Sequence, residues 1–421
     1  MTAFKKSILK NGVRVVTEKH PHSRSVSVGA WVQTGTRDEA SDQIGISHLL
    51  EHLVFKGTKT RNAYQIAKSL ESLGGDLNAY TTREYTNYHA LVLKEDWQAG
   101  LEILADLICN MKISRKDFEL EKKVILQEIA MCDDTPEELI YDYFFQMVYQ
   151  NHPLGRQILG KSETIQKMTQ KKVFEFYKSF YQGKNLIISA AGPIEHDEFV
   201  IACQKLFKNR SPFKGTMDRK APKWKVNRQI IERDMEQAHI LIGFPTTSFF
   251  DEHRFEAFIL NALLGGGMTS RLYQAIREKQ GLAYTVYSTL NTNTDSGNIT
   301  IYAGTDSKNV KRVIQTIATE LQRVKKNGFK SQDLDLFKKQ VRGQLLMGSD
   351  DIENRMSSLG VNEMIFQNYR SVEKVISQID AVSEKSMRQF IKEYLHLDEI
   401  AVCLMGPELK AQQKWLEDFV F

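Results

Sequence analysis

Alternating apolar and polar positions predict strands at matching places in the two halves of the chain. Residues 25–32 and residues 239–244 each predict a strand that leads through threonine and acidic residues into an apolar helix. A second helix and a pair of strands follow, over 62–73 and 76–93 in the first half and over 271–279 and 282–303 in the second. This order predicts an α+β fold in which one plan is used twice.

The repeat predicts two tandem homologous domains, each a mixed, mostly antiparallel sheet packed with helices. Between them, residues 211–228 contain prolines, Gly215 and many lysines and arginines, with little periodic apolar content. Such a composition is typical of an exposed linker. We therefore predict a first domain over 1–210, a linker over 211–228 and a second domain over 229–421.

The first residues of the chain predict a β-hairpin. Apolar runs on both sides of Asn11-Gly12 favour a type I′ turn. A strand this close to Met1 leaves no room for a cleaved targeting segment. No apolar run reaches the ~20 residues that a membrane-spanning helix requires. We therefore predict that the protein has no membrane span and is cytoplasmic.

Charge and cysteine content exclude several other classes of protein. The chain has 57 lysines and arginines against 52 acidic residues, a net charge of +5, and no dense basic stripe with aromatic residues. We therefore predict no nucleic-acid partner. The four cysteines stand singly, without a C-x-x-C pair, so they indicate reduced thiols rather than a disulfide framework or a cysteine zinc site.

The segment His48-Leu49-Leu50-Glu51-His52 carries the candidate chemistry. Helix positions i and i+4 lie on one face, so both imidazoles can reach one metal ion. Glu51 stays on that side and can hold a water molecule rather than the metal. The pattern H-x-x-E-H is the mirror of the common zinc-protease pattern. By itself, a histidine pair of this kind is as often a polar decoration of a helix.

A catalytic zinc takes three protein ligands, so a third is needed from another element. Residues 117–131 predict a helix on which Glu121 and Glu128 lie seven residues apart and share a face. Either glutamate could reach the site, although such a helix is more often simply solvated. Glu128 stands among Ile125, Leu126 and Ile129, where a carboxylate needs a partner.

The second copy of the plan lacks this chemistry. A shift of 213 residues places His48, Glu51 and His52 on the positions of Asn261, Leu264 and Gly265. We therefore predict that the second domain is inactive and holds substrate or serves as a scaffold.

With these residues in place, the chain resembles the pitrilysin-type zinc metallopeptidases, or inverzincins. It is most similar to the two-domain bacterial members and to the β subunit of mitochondrial processing peptidase. The family's ligand glutamate follows the motif by about 76 residues, which is the spacing from His52 to Glu128. Where members often carry Glu-Glu, this chain has Gln127-Glu128. Further matching segments are 74–81, 152–156, 264–272 and 277–284.

The resemblance implies roles for individual residues. His48, His52 and Glu128 correspond to the ligands of one Zn²⁺ per chain, and Glu51 corresponds to the general base. Glu121 corresponds to an acid that supports the site. Arg277 and Tyr284 correspond to a pair that contacts substrate and polarises the scissile carbonyl. An exposed strand edge at Asn78, Ala79 and Tyr80 is expected to bind the substrate backbone.

The resemblance also implies an assembly. Longer members close a chamber with four such domains, so two chains of this length are expected to pair, as a homodimer or a heterodimer. The expected function is zinc-dependent endopeptidase action on peptides or unfolded polypeptide segments inside that chamber. The alternative is a non-catalytic or regulatory partner subunit of a heterodimeric processing peptidase, although such subunits usually lose part of the motif, which is intact here.

Overall fold

The structure, a computed structural model, describes residues 3–213 and 217–421 and divides into two compact units. The first unit comprises the described residues up to Met131 and those of Arg156–Arg219 and Met347–Arg370. The second comprises Cys132–Gly155, the segment from Lys220 to Leu346, and Ser371–Phe421. Cys132–Gly155, from the first half of the chain, therefore belongs to the second unit, and Met347–Arg370, from the second half, belongs to the first unit.

The first unit is built on a six-stranded sheet. Its strands are β1 Ala3–Ile8, β2 Arg14–Lys19, β3 Ser25–Val32, β4 Asp76–Thr81, β5 Thr86–Leu93 and β6 Leu186–Gly192, in the order β1-β2-β6-β3-β5-β4. Its helices are α1 Ile46–Val54, α2 Ala63–Glu71, α3 Trp97–Asn110, α4 Arg115–Asp133, α6 Ser162–Lys167, α7 Gln170–Phe180, α8 His196–Phe207 and α12 Ile352–Phe366.

The second unit repeats the plan without the first strand. Its strands are β7 Arg228–Glu232, β8 Ala238–Thr246, β9 Ala283–Thr292, β10 Gly297–Thr305 and β11 Ala401–Gly406, in the order β7-β11-β8-β10-β9. Its helices are α5 Pro136–Tyr149, α9 Arg254–Gly265, α10 Val310–Asn327, α11 Ser331–Ser349, α13 Val372–Ala381, α14 Glu384–Tyr394 and α15 Gln413–Asp418. Short 3₁₀ turns occur at Thr36–Asp38, Lys94–Asp96, Pro153–Gly155, Gly183–Asn185, Ser307–Asn309, Leu397–Glu399 and Lys410–Gln412.

The two sheets have the same topology. In each, one pair of strands is parallel, β2 with β6 and β7 with β11, and the other pairs are antiparallel. Removing β1 makes the two strand orders identical, with α1 and α9 following equivalent strands. The predicted α+β fold with one plan used twice is confirmed.

Helix α12 closes the face of the first sheet that the other helices leave open. Side chains alternate along β3, so Val28 and Ala30 face the main core, whereas Gly29 and Trp31 face α12. A Cβ added to Gly360 of α12 would lie 2.2 Å from the Trp31 ring, so helix and strand are in close contact. Helix α5 packs in the same way on β8 and β11 of the second sheet.

The domain boundaries drawn from the sequence stay a prediction. The compact units follow the expected division near 211–228 with two exceptions. Residues 132–155, which contain α5, belong to the second unit because α5 packs on the second sheet, and residues 347–370, which contain α12, belong to the first unit because α12 packs on the first sheet. Residues 214–216 of the predicted linker, including Gly215, lie outside the described residues.

The N-terminal hairpin forms as predicted, from β1 and β2, but its turn type was predicted wrongly. A type I′ turn needs positive φ at both central residues. Here Gly12 has φ of +90° while Asn11 does not lie in that region. The amide N of Gly12 donates to the carbonyl of Leu9 over 2.8 Å, so a tight turn precedes a left-handed glycine. Among the described residues, no helix is both long enough and apolar enough to cross a bilayer.

Candidate metal centre

Helix α1 presents the two histidines on one face. Its other face is formed by Ile46, Leu49 and Leu50, which are completely buried. The rings of His48 and His52 lie one turn apart, with centroids separated by 4.7 Å. The helix periodicity alone therefore brings both imidazoles to one side of α1.

The start of α1 is held by a buried carboxylate. Glu39 accepts hydrogen bonds from the backbone amides of Gly45 and Ser47, each over 2.8 Å. These are orphan donors at the helix N-terminus, where a negative charge is favoured. Burial nevertheless raises the pKa of Glu39 to about 8. Gly45 takes φ of +93°, and this bend sets the direction in which α1 leaves the loop.

Glu128 on α4 completes a group of three possible ligands. Its carboxylate oxygens lie 3.8 Å from Nε2 of His48 and 3.6 Å from Nε2 of His52. One ligand atom from each of the three residues lies within 4.8 Å of the others. Ligand atoms about 2.1 Å from a tetrahedral zinc lie about 3.4 Å apart, so the observed spacing suits a single ion.

The state of the histidines also fits a metal. Burial, followed by the neighbouring His52, lowers the pKa of His48 to about 4. A metal ligand must be the neutral imidazole, so the position favours the form that binds. The donor set of two imidazoles and one carboxylate is one that zinc uses in catalytic sites.

Glu121, predicted to support the site, lies directly behind His52. Its Oε2 is 3.3 Å from Nδ1 of His52, and the residue is 1% exposed. Its other oxygen pairs with Nζ of Lys56 over 2.9 Å. A carboxylate on the far nitrogen of a ligating histidine fixes the ring orientation and tautomer. Lys56 was not predicted; it lies in the turn that follows α1, four residues after His52.

Glu51 lies on α1 beside the ligands and has a partner of its own. Its Oε2 accepts a hydrogen bond from the hydroxyl of Thr81, the last residue of β4. Burial raises the pKa of Glu51, against the opposing effects of the Thr81 hydrogen bond and of His52. Thr81 was also missed; its signal is strand parity, since it lies two residues beyond Ala79.

The predicted substrate strand is at an edge of the sheet. β4 is the last strand in the order, and Asn78 and Tyr80 are exposed while Ala79 is partly buried. The backbone amides of Leu77 and Ala79 donate to side-chain oxygens of the preceding residues, over 2.9 and 2.8 Å. The amide of Thr82 bonds to the carbonyl of Tyr85 in the same register, so even-numbered amides face β5, and those of Leu77 and Ala79 lie on the side of β4 away from β5.

Arg277 and Tyr284 lie together in the second unit. The Arg277 guanidinium is 4.6 Å from the centroid of the Tyr284 ring and 4.9 Å from that of Tyr273. The helix predicted over 271–279 is a π-helix over Tyr273–Glu278. π-Helical turns are often found at functional sites. Tyr284 is 77% exposed, so its hydroxyl is available to a ligand.

The second unit has no room for the chemistry of α1. At Gly265, the position equivalent to His52, an added Cβ would lie 2.2 Å from the backbone N of Ser288. At Asn261, the backbone carbonyl accepts a hydrogen bond from the Ser288 hydroxyl over 2.9 Å. Helix α9 therefore packs directly on β9, and an imidazole at position 265 would not fit.

Comparison with known families gives two matches along the chain. Residues 14–162 match the family described as Insulinase (Peptidase family M16), and residues 167–341 match the Peptidase M16 inactive domain. The first match contains all three ligand candidates and Glu51. The second contains Arg277 and Tyr284.

Whole-length relatives and solved structures agree with these matches. An uncharacterized zinc protease of Mycobacterium leprae (strain TN) is 37% identical over 96% of this chain and 91% of its own length. The uncharacterized zinc protease YmxG of Bacillus subtilis (strain 168) is 34% identical over 96% and 98%. A protease from Helicobacter pylori superposes with a TM-score of 0.90 at 21% identity, covering 97% of this chain and all of the other.

Proposed function

Because the chain belongs to peptidase family M16, we propose that it is a zinc-dependent endopeptidase that hydrolyses peptides or unfolded polypeptide segments. The observation that supports this most directly is the convergence of His48, His52 and Glu128, with Glu51 on the same helix face. A zinc ion held there would supply Lewis-acid chemistry, lowering the pKa of a water molecule and polarising a peptide carbonyl.

The side chains of the protein carry the proton transfers. Glu51 has one carboxylate oxygen engaged by Thr81, which leaves Oε1 to accept the proton of the attacking water and later to deliver it to the leaving amine. Glu121 accepts from Nδ1 of His52, so that Nε2 of this ring is directed to the side where Glu128 lies. Lys56 balances the charge of Glu121.

The free edge of β4 is the proposed binding place for the substrate backbone. An extended peptide can pair with the outward amides of Leu77 and Ala79 after displacing the side chains of Asp76 and Asn78. In this mode the hydrogen bonds to the peptide backbone supply affinity independently of side-chain identity, so peptides and unfolded segments of different sequence can bind.

The direct test is cleavage by the pure protein. We expect it to hydrolyse quenched peptides, to lose this activity on treatment with a chelator, and to regain it with zinc. Glu51→Gln should keep the zinc and lose at least ~10²-fold in turnover, the lower range for general-base catalysis. Glu119→Gln, an exposed position on α4, is the matched control and should behave as wild type. Peptide binding without chelator-sensitive turnover would favour the alternative of a non-catalytic partner subunit.

We further propose that the active site is completed between two chains of a homodimer, with a heterodimer as the alternative. The second unit carries Arg277 and Tyr284 but no ligands, so this pair has a use in catalysis only beside a zinc site. Closed pairing of identical chains is the commonest oligomeric arrangement.

Four cysteines without a disulfide among the described residues support a reducing, cytoplasmic compartment.

Subunit mixing tests the shared site. Glu51→Gln chains and Tyr284→Phe chains, each shown to be impaired alone, should regain partial activity when they exchange subunits, because one hybrid site then contains both native residues. Mass measurement must show the exchange. Confirmed exchange without any recovery would place Glu51 and Tyr284 of a working site in the same chain.

A further inference from the structure

Thr81 links the strand that we assign to substrate with the residue that we assign as base. It is the last residue of β4, and its hydroxyl donates to Oε2 of Glu51 on α1. Within the described residues, Thr81 is the hydrogen-bond donor to this carboxylate. The two residues are thirty positions apart in the chain, so the contact exists only in the folded unit.

The direction of the Thr81 side chain is set by the register of β4. Successive side chains of a strand point to opposite faces, so Leu77, Ala79 and Thr81 share one face. Leu77 and Ala79 pack against the core of the first unit on this face. Tyr80 points the other way, and its ring lies nearly perpendicular to that of Trp31 at a centroid distance of 6.4 Å. A shift or twist of β4 would therefore move the Thr81 hydroxyl relative to Glu51.

Among the strands that the structure describes, β4 pairs with β5 alone. It pairs with β5 from Asp76 to Thr81, and its outer edge carries the two amides that the preceding side chains cover. An edge strand with one partner is less constrained than a strand with two. A peptide added to this edge would give β4 its second partner and would reduce the freedom of Thr81.

We propose that Thr81 is a positioning residue that couples peptide binding along β4 to the orientation of the Glu51 carboxylate. This inference rests on the proposed peptidase function. A peptide long enough to pair with the edge then raises turnover, as well as binding, because it fixes the strand that holds the base. A peptide too short to pair leaves the base less well oriented.

The experiment compares Thr81→Val, which removes the donor at nearly constant volume, with Thr81→Ser, which keeps a hydroxyl. Thr319→Val, at an exposed site on α10, is the control for the substitution itself. Each variant is assayed with a ten-residue quenched peptide and with a four-residue one. Zinc content is measured for all.

We expect Thr81→Val to lose about 10- to 100-fold in kcat on the long peptide, the size of effect caused by a small misplacement of a catalytic group. Its KM should change less than about threefold, its zinc content should stay the same, and the advantage of the long peptide in kcat should disappear. Thr81→Ser should restore most of the loss. In a Glu51→Gln background, Thr81→Val should cause no further loss.

Three results would overturn the proposal: unchanged kcat in Thr81→Val, a loss confined to KM, or an equal loss in Thr81→Ser. Absence of chelator-sensitive cleavage by the wild type would instead refute the peptidase function. The Thr81–Glu51 contact is then judged by denaturant unfolding. Thr81→Val should lower the midpoint in the wild type but not in a Glu51→Ala background, and equal shifts in both backgrounds would refute the coupling.

Discussion

Replacement of Glu121 by glutamine tests how the second helix of the site supports the metal. The glutamate is 1% exposed and holds Nδ1 of His52 at 3.3 Å. Glutamine has the same shape but no charge, so Nδ1 of His52 loses the charged carboxylate that orients the ring. Loss of such a partner typically weakens metal binding by about 10- to 100-fold, or about 1.4 to 2.7 kcal/mol.

The other contact of Glu121 should add little to this effect. Lys56 lies 2.9 Å away, but one third of its side chain is exposed to solvent. An ion pair of this kind contributes at most about 1 kcal/mol, because water replaces the lost partner. Glu121→Gln should therefore lower mainly the zinc affinity, and should change the free energy of unfolding of the metal-free protein much less.

Competition with a chromophoric chelator at fixed pH measures the zinc dissociation constant of each variant. Glu119→Gln is the matched control, since this residue is on the same helix but exposed and 3.8 Å from Lys122. We expect the control to lie within about threefold of wild type, a difference below 1 kcal/mol. Equal zinc affinities for Glu121→Gln, the control and the wild type would show that Glu121 does not support the metal through His52.

Three further predictions concern the metal ligands, a buried ion pair and the packing of α9. Glu128→Gln should reduce bound zinc sharply after dialysis, whereas Glu51→Gln should retain about one zinc per chain; metal analysis showing equal retention would move the third ligand elsewhere. Arg355→Met should lower the free energy of unfolding in urea by about 3 kcal/mol, the lower end for breaking a buried ion pair. It removes the guanidinium bonded at 2.6 Å to Glu18, which is 1% exposed and keeps its contacts with His20 and Tyr369. Gly265→Ala should cost about 1–3 kcal/mol or more by overpacking; an unchanged thermal midpoint would contradict the close packing at this glycine.

Local patterns determined the elements and the first half of the site. Helix periodicity places His48, Glu51 and His52 on one face of α1, and alternation predicts the strands that became β3, β4, β5 and β8. These features depend on neighbours within a few residues, so the sequence carries them directly. The choice of Glu128 as third ligand rests on its spacing from His52, which the family resemblance supplied; the structure brings the three side chains together.

The contacts that tune the site were decided by tertiary structure. Strand parity gives the face of β4 on which Thr81 lies, but not its partner. Thr81 reaches Glu51, and Lys56 reaches Glu121, only because β4 and α4 pack beside α1.

The exchange of covering helices was decided in the same way. The residue patterns of α5 and α12 do not tell which sheet each helix will cover. Close packing decides it, because the absence of a side chain at Gly360 lets α12 approach the Trp31 ring on the first sheet. Periodicity is a local property of the chain, whereas a partner far away in sequence is selected by shape and charge once the sheets have formed.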